Sequence, residues 1–127
     1  MKKSPRHVLV IDDEMLIRWS MAETLTHAGY EVTEAVNAKE ALQRASAAPV
    51  PDVILLDYRL PDSNDLRLLE TIRRVAPNSP VILMTAYGST EVVNGAAKLG
   101  AYRVLSKPVE MGDLVPLIEQ AYESRPH

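Results

Sequence analysis

The sequence predicts a three-layer α/β domain, a five-stranded parallel sheet covered by helices on both faces. Three observations carry this expectation. Five apolar clusters alternate with helical patterns along the chain. Three of them, Val8-Leu9-Val10-Ile11, Val53-Ile54-Leu55-Leu56 and Val81-Ile82-Leu83-Met84, are unbroken aliphatic runs without polar alternation. Strands of parallel sheets, buried on both faces, read in that way. No internal repeat, low-complexity tract or long linker interrupts the succession, and strict βα alternation implies right-handed crossovers.

The first strand reads over His7–Ile11. A helix follows over Glu14–Ala28, with Ile17, Met21, Leu25 and Ala28 on one face and Gly29 as the stop. The second strand is Tyr30–Ala35, and the second helix is Ala38–Ala47, rich in Ala, Glu and Lys. Pro49 and Pro51 mark the loop into the third strand, Asp52–Leu56. The third helix, Asn64–Val75, carries Leu66, Leu69, Ile72 and Val75. Pro77 and Pro80 mark the loop into the fourth strand, Pro80–Thr85. The fourth helix, Glu91–Leu99, is the weakest, because Gly95 inside it costs about 1 kcal/mol relative to Ala. The fifth strand is Tyr102–Ser106, and the last helix runs from about Gly112 to Ser124. Proline is tolerated in the first turn of a helix, so Pro116 would break a last helix that began before Met111.

Composition bounds the function. A chain of 127 residues is one domain of ordinary size, and 46% hydrophobic with 24% charged residues is normal for a globular protein. With no cysteine there is no disulfide, thiolate metal site, iron–sulfur cluster or cysteine nucleophile. The apolar runs are too short to span a bilayer, and no apolar stretch follows Lys2, Lys3 and Arg6 to make a signal peptide. These features suit a cytoplasmic protein with no membrane association. A net charge of −3 argues against direct nucleic-acid binding by this domain.

In parallel sheets ligands bind beyond the carboxyl ends of the strands. The first strand ends on Asp12-Asp13, the third on Asp57, the fourth on Thr85 and the fifth on Lys107-Pro108; the second ends on nothing comparable, as suits a sheet edge. Singly, each has a plain structural reading: Asp12 or Asp13 as a helix cap, Asp57 as a turn residue before Pro61, Thr85 as a structural hydroxyl, Lys107 as a solvated charge. Together they are far more specific. Two unit charges about 4 Å apart repel by about 4 kcal/mol at an effective dielectric of 20, so three ionised carboxylates need a cation. An all-oxygen donor set suits Mg²⁺. Mg²⁺, Lys and Thr form a cradle for a phosphoryl group, and an Asp beside them can attack phosphorus to give an aspartyl phosphate.

These motifs, from Val8-Leu9-Val10-Ile11-Asp12-Asp13-Glu14 through Asp57-Tyr58-Arg59-Leu60-Pro61 and Met84-Thr85-Ala86 to Lys107-Pro108, resemble the receiver domain of bacterial two-component response regulators along essentially the whole chain. Ile17-Arg18-Trp19 and Met84-Thr85-Ala86-Tyr87-Gly88 look most like the NtrC-like subfamily of sigma-54 activators. The resemblance implies a flavodoxin-like strand order 2-1-3-4-5. It implies Asp57 as phosphoacceptor, and Mg²⁺ held by Asp13, Asp57 and the Arg59 carbonyl, with Asp12 acting through a metal-bound water. Thr85, the Ala86 N–H and Lys107 would contact phosphoryl oxygens, and Lys107–Pro108 would be a cis peptide.

Some positions depart from the family pattern. Val104 stands where the family usually has its switch aromatic, and Tyr102 is expected to pack instead. Val109 follows Lys107-Pro108 in place of the usual Phe, and Asp65 stands where the loop after Pro61 usually has Gly. If that position needs positive φ, Asp fits it less well than Gly. These departures bear on switching and leave the phosphoryl chemistry intact.

The implied function is a phosphorylation switch. A histidine kinase would donate the phosphoryl group to Asp57, and the fourth-helix and fifth-strand face would rearrange to control an output, by resemblance transcription. This is not a turnover enzyme. Two other readings stand beside it: a pseudo-receiver that works without phosphate, and a small aspartate-nucleophile phosphatase of the haloacid dehalogenase type. The phosphatase family places its nucleophile after the first strand in an Asp-x-Asp motif, whereas Asp57 is followed by Tyr58-Arg59. An FMN-binding flavodoxin is disfavoured because no Ser/Thr/Gly-rich loop follows the first strand. Leu16 and Trp19, off the core face of the first helix, are candidates for kinase docking, with partial cover by neighbours as the alternative. Arg59 and Tyr87 flank the pocket and are expected to tune hydrolysis. A homodimer through the fourth-helix to fifth-helix face is left open. The receiver is expected to fill residues 1–127, with its core at about 7–124 and no output domain in the chain.

Overall fold

Strands and helices alternate throughout the computed structural model, which describes residues 5–86 and 88–125. The strands are β1 (His7–Ile11), β2 (Glu31–Ala35), β3 (Val53–Asp57), β4 (Val81–Thr85) and β5 (Arg103–Ser106). Between and after them lie α1 (Met15–His27), α2 (Ala38–Ser46), α3 (Arg67–Val75), α4 (Thr90–Lys98) and α5 (Met111–Glu123). All pairings are parallel, in the order β2-β1-β3-β4-β5. β1, β3 and β4 are buried along their full length, whereas the edge strands β2 and β5 are partly exposed. The aliphatic runs thus mark the three central strands.

Alternate residues of each strand face opposite sides. Leu9, Ile11, Ile54, Leu56 and Leu83 pack with Ala41, Leu69, Ile72 and Ala96 of α2, α3 and α4. Val8, Val10, Leu55, Ile82 and Met84 pack with Met21, Leu25, Leu114 and Ile118 of α1 and α5. From β1 the sheet grows first toward β2 and then the other way through β3. The carboxyl ends of β1 and β3 therefore flank the crevice at the reversal point, where such sheets bind ligands.

Several expected boundaries shift. Tyr30, Asp52, Pro80 and Tyr102 lie just outside their strands, and Asp57 is the last residue of β3 rather than the first beyond it. α3 starts at Arg67, not Asn64. The intervening loop has its own order: Leu60 and Ser63 exchange backbone hydrogen bonds of 2.8 and 3.2 Å, and Asp65 Oδ1 accepts the Arg67 N–H at 2.9 Å. α3 buries Leu68, Leu69 and Ile72, and leaves Val75 43% exposed. Likewise α1 buries Met21, Ala22 and Leu25, while Ala28 is an exposed C-cap. The chain leaves α1 at Gly29 with φ +96°, a conformation that favours glycine. Among the described residues no other type has positive φ, so Asp65 is not forced into that region.

Two helix interruptions have clear physical reasons. Pro116 lies in the second turn of α5, which begins at Met111 and so no earlier than the sequence allows. An interior proline costs about 3 kcal/mol. Leu114, Leu117, Ile118 and Ala121 are buried on the core face, and full burial of a large aliphatic side chain is worth about 1.5–3 kcal/mol, so the packed face outweighs the lost hydrogen bond. Pro116 and Gly112 are exposed, which leaves the freed carbonyl to water. In α4, a Cβ on Gly95 would lie 2.7 Å from Leu66 Cδ1. The glycine that weakens the helix also forms the notch in which Leu66 sits.

Candidate functional site

Each polar strand end reaches the same edge of the sheet. Asp12 follows β1 and is fully buried. Its N–H donates to Ala35 O at 3.1 Å, its Oδ1 accepts the Glu14 N–H at 3.0 Å, and its Oδ2 accepts from Lys107 Nζ at 3.0 Å. Asp57 ends β3 only 6% exposed, its Oδ2 3.1 Å from Lys107 Nζ and its Oδ1 accepting the Arg59 N–H at 3.4 Å. Asp13, next in the chain to Asp12, is exposed. One carboxylate oxygen from each of Asp12, Asp13 and Asp57 lies within 4.8 Å of the others. Thr85 is buried at the end of β4. The Lys107–Pro108 peptide is cis.

Asp13, Glu14, Asp57, Arg59, Ala86 and Lys107 line an open cleft of about 340 Å³. Thr85 itself is buried. Tyr87 lies outside the described residues.

The electrostatics are those of an acidic pocket short of positive charge. Burial, then the adjacent Asp12 carboxylate, pushes the Asp57 carboxyl up from 3.8 to about 6, against the opposing pull of Lys107 and the Arg59 N–H. Burial alone would lower the Lys107 pKa, but the hydrogen bonds and charges of Asp12 and Asp57 outweigh it and raise the value. Glu14 Oε1 lies 3.9 Å from the same ammonium. One ammonium thus faces Asp12, Asp57 and Glu14, with Asp13 alongside.

A hard cation fits this donor set. All the donors are oxygens and lie within 4.8 Å of one another, and oxygen is the donor type that Mg²⁺ prefers. The same pocket offers an ionisable carboxylate for attack and an ammonium to receive negative charge.

Sequence reasoning did not single out Glu14, nor the role of Arg18. Arg18 Nη1 donates to Asp12 O at 2.9 Å and its Nε to Glu34 Oε1 at 2.9 Å. Their one sequence signal is position, just after the acidic pair; partners on another strand are not legible from spacing. Leu16 and Trp19 are 73% and 59% exposed, as expected off the core face of α1. Val104 is half-buried against the α3–α4 side of the core, and Tyr102 packs on the opposite side, as expected for a residue that packs rather than switches.

The model of the response regulator receiver domain family matches residues 8–119. The DNA-binding transcriptional regulator NtrC of Escherichia coli (strain K12) is 39% identical over 114 residues, covering 90% of this chain and 24% of its own length. The response regulator protein PilR of Pseudomonas aeruginosa is 38% identical over 122 residues, covering 96% of this chain and 27% of its own length. This chain therefore spans about a quarter of the length of those relatives. The crystal structure of a receiver domain protein (CheY-like) from Methanospirillum hungatei JF-1 has a TM-score of 0.89 at 31% identity, covering 94% of this chain and 95% of that one. The receiver domain of NtrX from Brucella abortus has a TM-score of 0.83 at 33% identity, covering 92% and 98%. A Burkholderia pseudomallei response regulator, solved with a phosphorylated aspartic acid and a calcium ion, has a TM-score of 0.81 at 30% identity, covering 94% and 73%. These likenesses do not favour the pseudo-receiver or phosphatase readings. A parallel sheet whose strand ends converge on an acid–lysine cluster, matched in sequence and in fold over nearly all its length, is no isolated architecture: the chain belongs to the response regulator receiver domain family, with NtrC-like regulators among its relatives.

Proposed function

We propose that the domain accepts a phosphoryl group from the phosphohistidine of a partner kinase onto Asp57, with Mg²⁺, and thereby switches the face formed by α4 and β5. The observation that carries this reading is the convergence of Asp57 and Asp12 on Lys107 Nζ at 3.1 and 3.0 Å. An ionised Asp57 oxygen forms the new P–O bond as the P–N bond of the donor breaks, and the bonding pair leaves on the imidazole nitrogen. Asp13, Asp57 and the Arg59 carbonyl would hold Mg²⁺, with Asp12 acting through water. When bound, the ion neutralises carboxylate charge and polarises the phosphoryl oxygens. Lys107, Thr85 and the Ala86 N–H would take up the phosphoryl oxygens. The domain is modified once per signal and does not turn substrate over.

Phosphorylation adds about −1.5 to −2 charge units, which draws Lys107 and Thr85 inward. With Val104 at the usual aromatic position, the face should change less exposed surface than an aromatic switch does. The relatives' names as transcriptional regulators favour transcription as the output. The exposed Leu16 and Trp19 of α1 suit kinase docking, in a cytoplasmic setting; Trp19→Ala should slow transfer without lowering stability. A homodimer would use the α4–α5 face; analytical ultracentrifugation with a phosphoryl mimic tests it.

The direct test is acetyl phosphate or beryllofluoride with Mg²⁺, followed by mass spectrometry and amide NMR. Wild type should respond and Asp57→Asn should not. Equal behaviour of the two would sink the assignment.

A further inference from the structure

The geometry points to Arg18 as a positioning residue that braces the Asp12–Asp13 turn for cation binding. This rests on the reading of the acidic pocket as a Mg²⁺ site. Arg18 lies in the first turns of α1 with its side chain 16% exposed. Its guanidinium bridges two elements, Nη1 donating to Asp12 O and Nε to Glu34 Oε1 on β2, both at 2.9 Å. The fork geometry of guanidinium suits such a two-point brace, whereas a lysine ammonium is a point charge on a flexible stem.

The bridged carbonyl is the critical atom. Asp12 O belongs to the peptide group that joins Asp12 to Asp13, so a bond to it fixes the peptide plane and the start of Asp13. Asp12 has further anchors in Ala35 O, the Glu14 N–H and Lys107 Nζ. For the Asp13 carboxylate, the structure records no hydrogen bond or ion pair among the described residues. Asp13 therefore depends on its backbone for its place beside Asp12 and Asp57. Arg18 and Glu34 hold that backbone to the sheet edge.

Arg18 is also a positive charge near an acidic pocket, and the two roles predict opposite results. If Arg18 acts only by charge, Arg18→Ala should tighten Mg²⁺ binding, and Arg18→Lys should leave it unchanged. As a brace, both variants should weaken binding, Arg18→Ala by about tenfold, the lower end of the range for groups that orient metal ligands. The weakening should persist at high salt, which screens a charge effect but not a geometric one. Isothermal titration of the metal-free protein with Mg²⁺ reads the affinity, and urea unfolding checks that each variant is folded. Arg18→Lys keeps charge and bulk, so the question stays answerable if Arg18→Ala unfolds.

Weaker Mg²⁺ binding by folded Arg18→Lys at both low and high salt supports the brace. Unchanged binding by Arg18→Lys, or tighter binding by Arg18→Ala, overturns it while the pocket assignment stands. A wild-type domain that binds no Mg²⁺ overturns the pocket assignment itself, and the brace with it.

Discussion

Replacing Asp57 with Asn should make the metal-free domain more stable at neutral pH. Burial and the Asp12 carboxylate raise the Asp57 carboxyl from 3.8 to about 6 in the fold. The folded chain therefore holds a proton that the unfolded chain has released between about pH 4 and pH 6, and folding stability falls as pH rises through that window. Roughly two pH units at about 1.4 kcal/mol each give a penalty of about 3 kcal/mol above pH 7. Asn has the same shape, carries no charge, and its amide oxygen can still accept from Lys107. Urea unfolding of both proteins in EDTA measures the difference. The variant should lead by about 3 kcal/mol at pH 7.5 and by roughly half of that at pH 5.0, where wild type is largely protonated. Added Mg²⁺ should narrow the lead, since a ligand that binds the native state stabilises the protein that binds it better. An Asn variant less stable than wild type at pH 7.5, or a lead that does not change with pH, would refute the argument that Asp57 is held ionised against burial and like charge.

Removing Lys107 should act in the opposite sense. Its ammonium lies 3.0 Å from Asp12 and 3.1 Å from Asp57, and Lys107→Ala leaves two buried carboxylates uncompensated, at about 3–5 kcal/mol above pH 7. The loss should shrink on acidification as the pocket takes up a proton, and urea unfolding across pH tests both statements. Gly95→Ala should gain up to about 1 kcal/mol of helix propensity only in a Leu66→Ala background, because Leu66 Cδ1 sits 2.7 Å from where the new Cβ would be; additive effects in a double-mutant cycle would reject the notch. Ser79→Ala should cost about 1–2 kcal/mol, since the buried Ser79 hydroxyl donates to Pro51 O at 2.6 Å; unfolding at neutral pH measures it.

The alternation of elements, the three central strands and the polar residue at the end of each strand that carries one are all legible in the chain of letters. These are local properties, set by runs of Val, Ile and Leu and by the polar residue directly after each run. Helical periodicity likewise leaves Leu16 and Trp19 on the face of α1 away from the core. Contacts between elements settle the features that periodicity cannot contain. Val75 continues the apolar spacing of α3 yet is 43% exposed in its last turn, while Ala76 next to it packs into the core against residues of other elements. Pro116 survives in the second turn of α5 because a buried face on the other side holds the helix. Gly95 reads in sequence as a weakness and in space as a seat for Leu66. Arg18 reads as one more charge on a helix until Asp12 O and Glu34 are found at its two ends. In each case the deciding partner comes from another element or from the chain's path between elements, and only the folded chain brings such partners to contact distance.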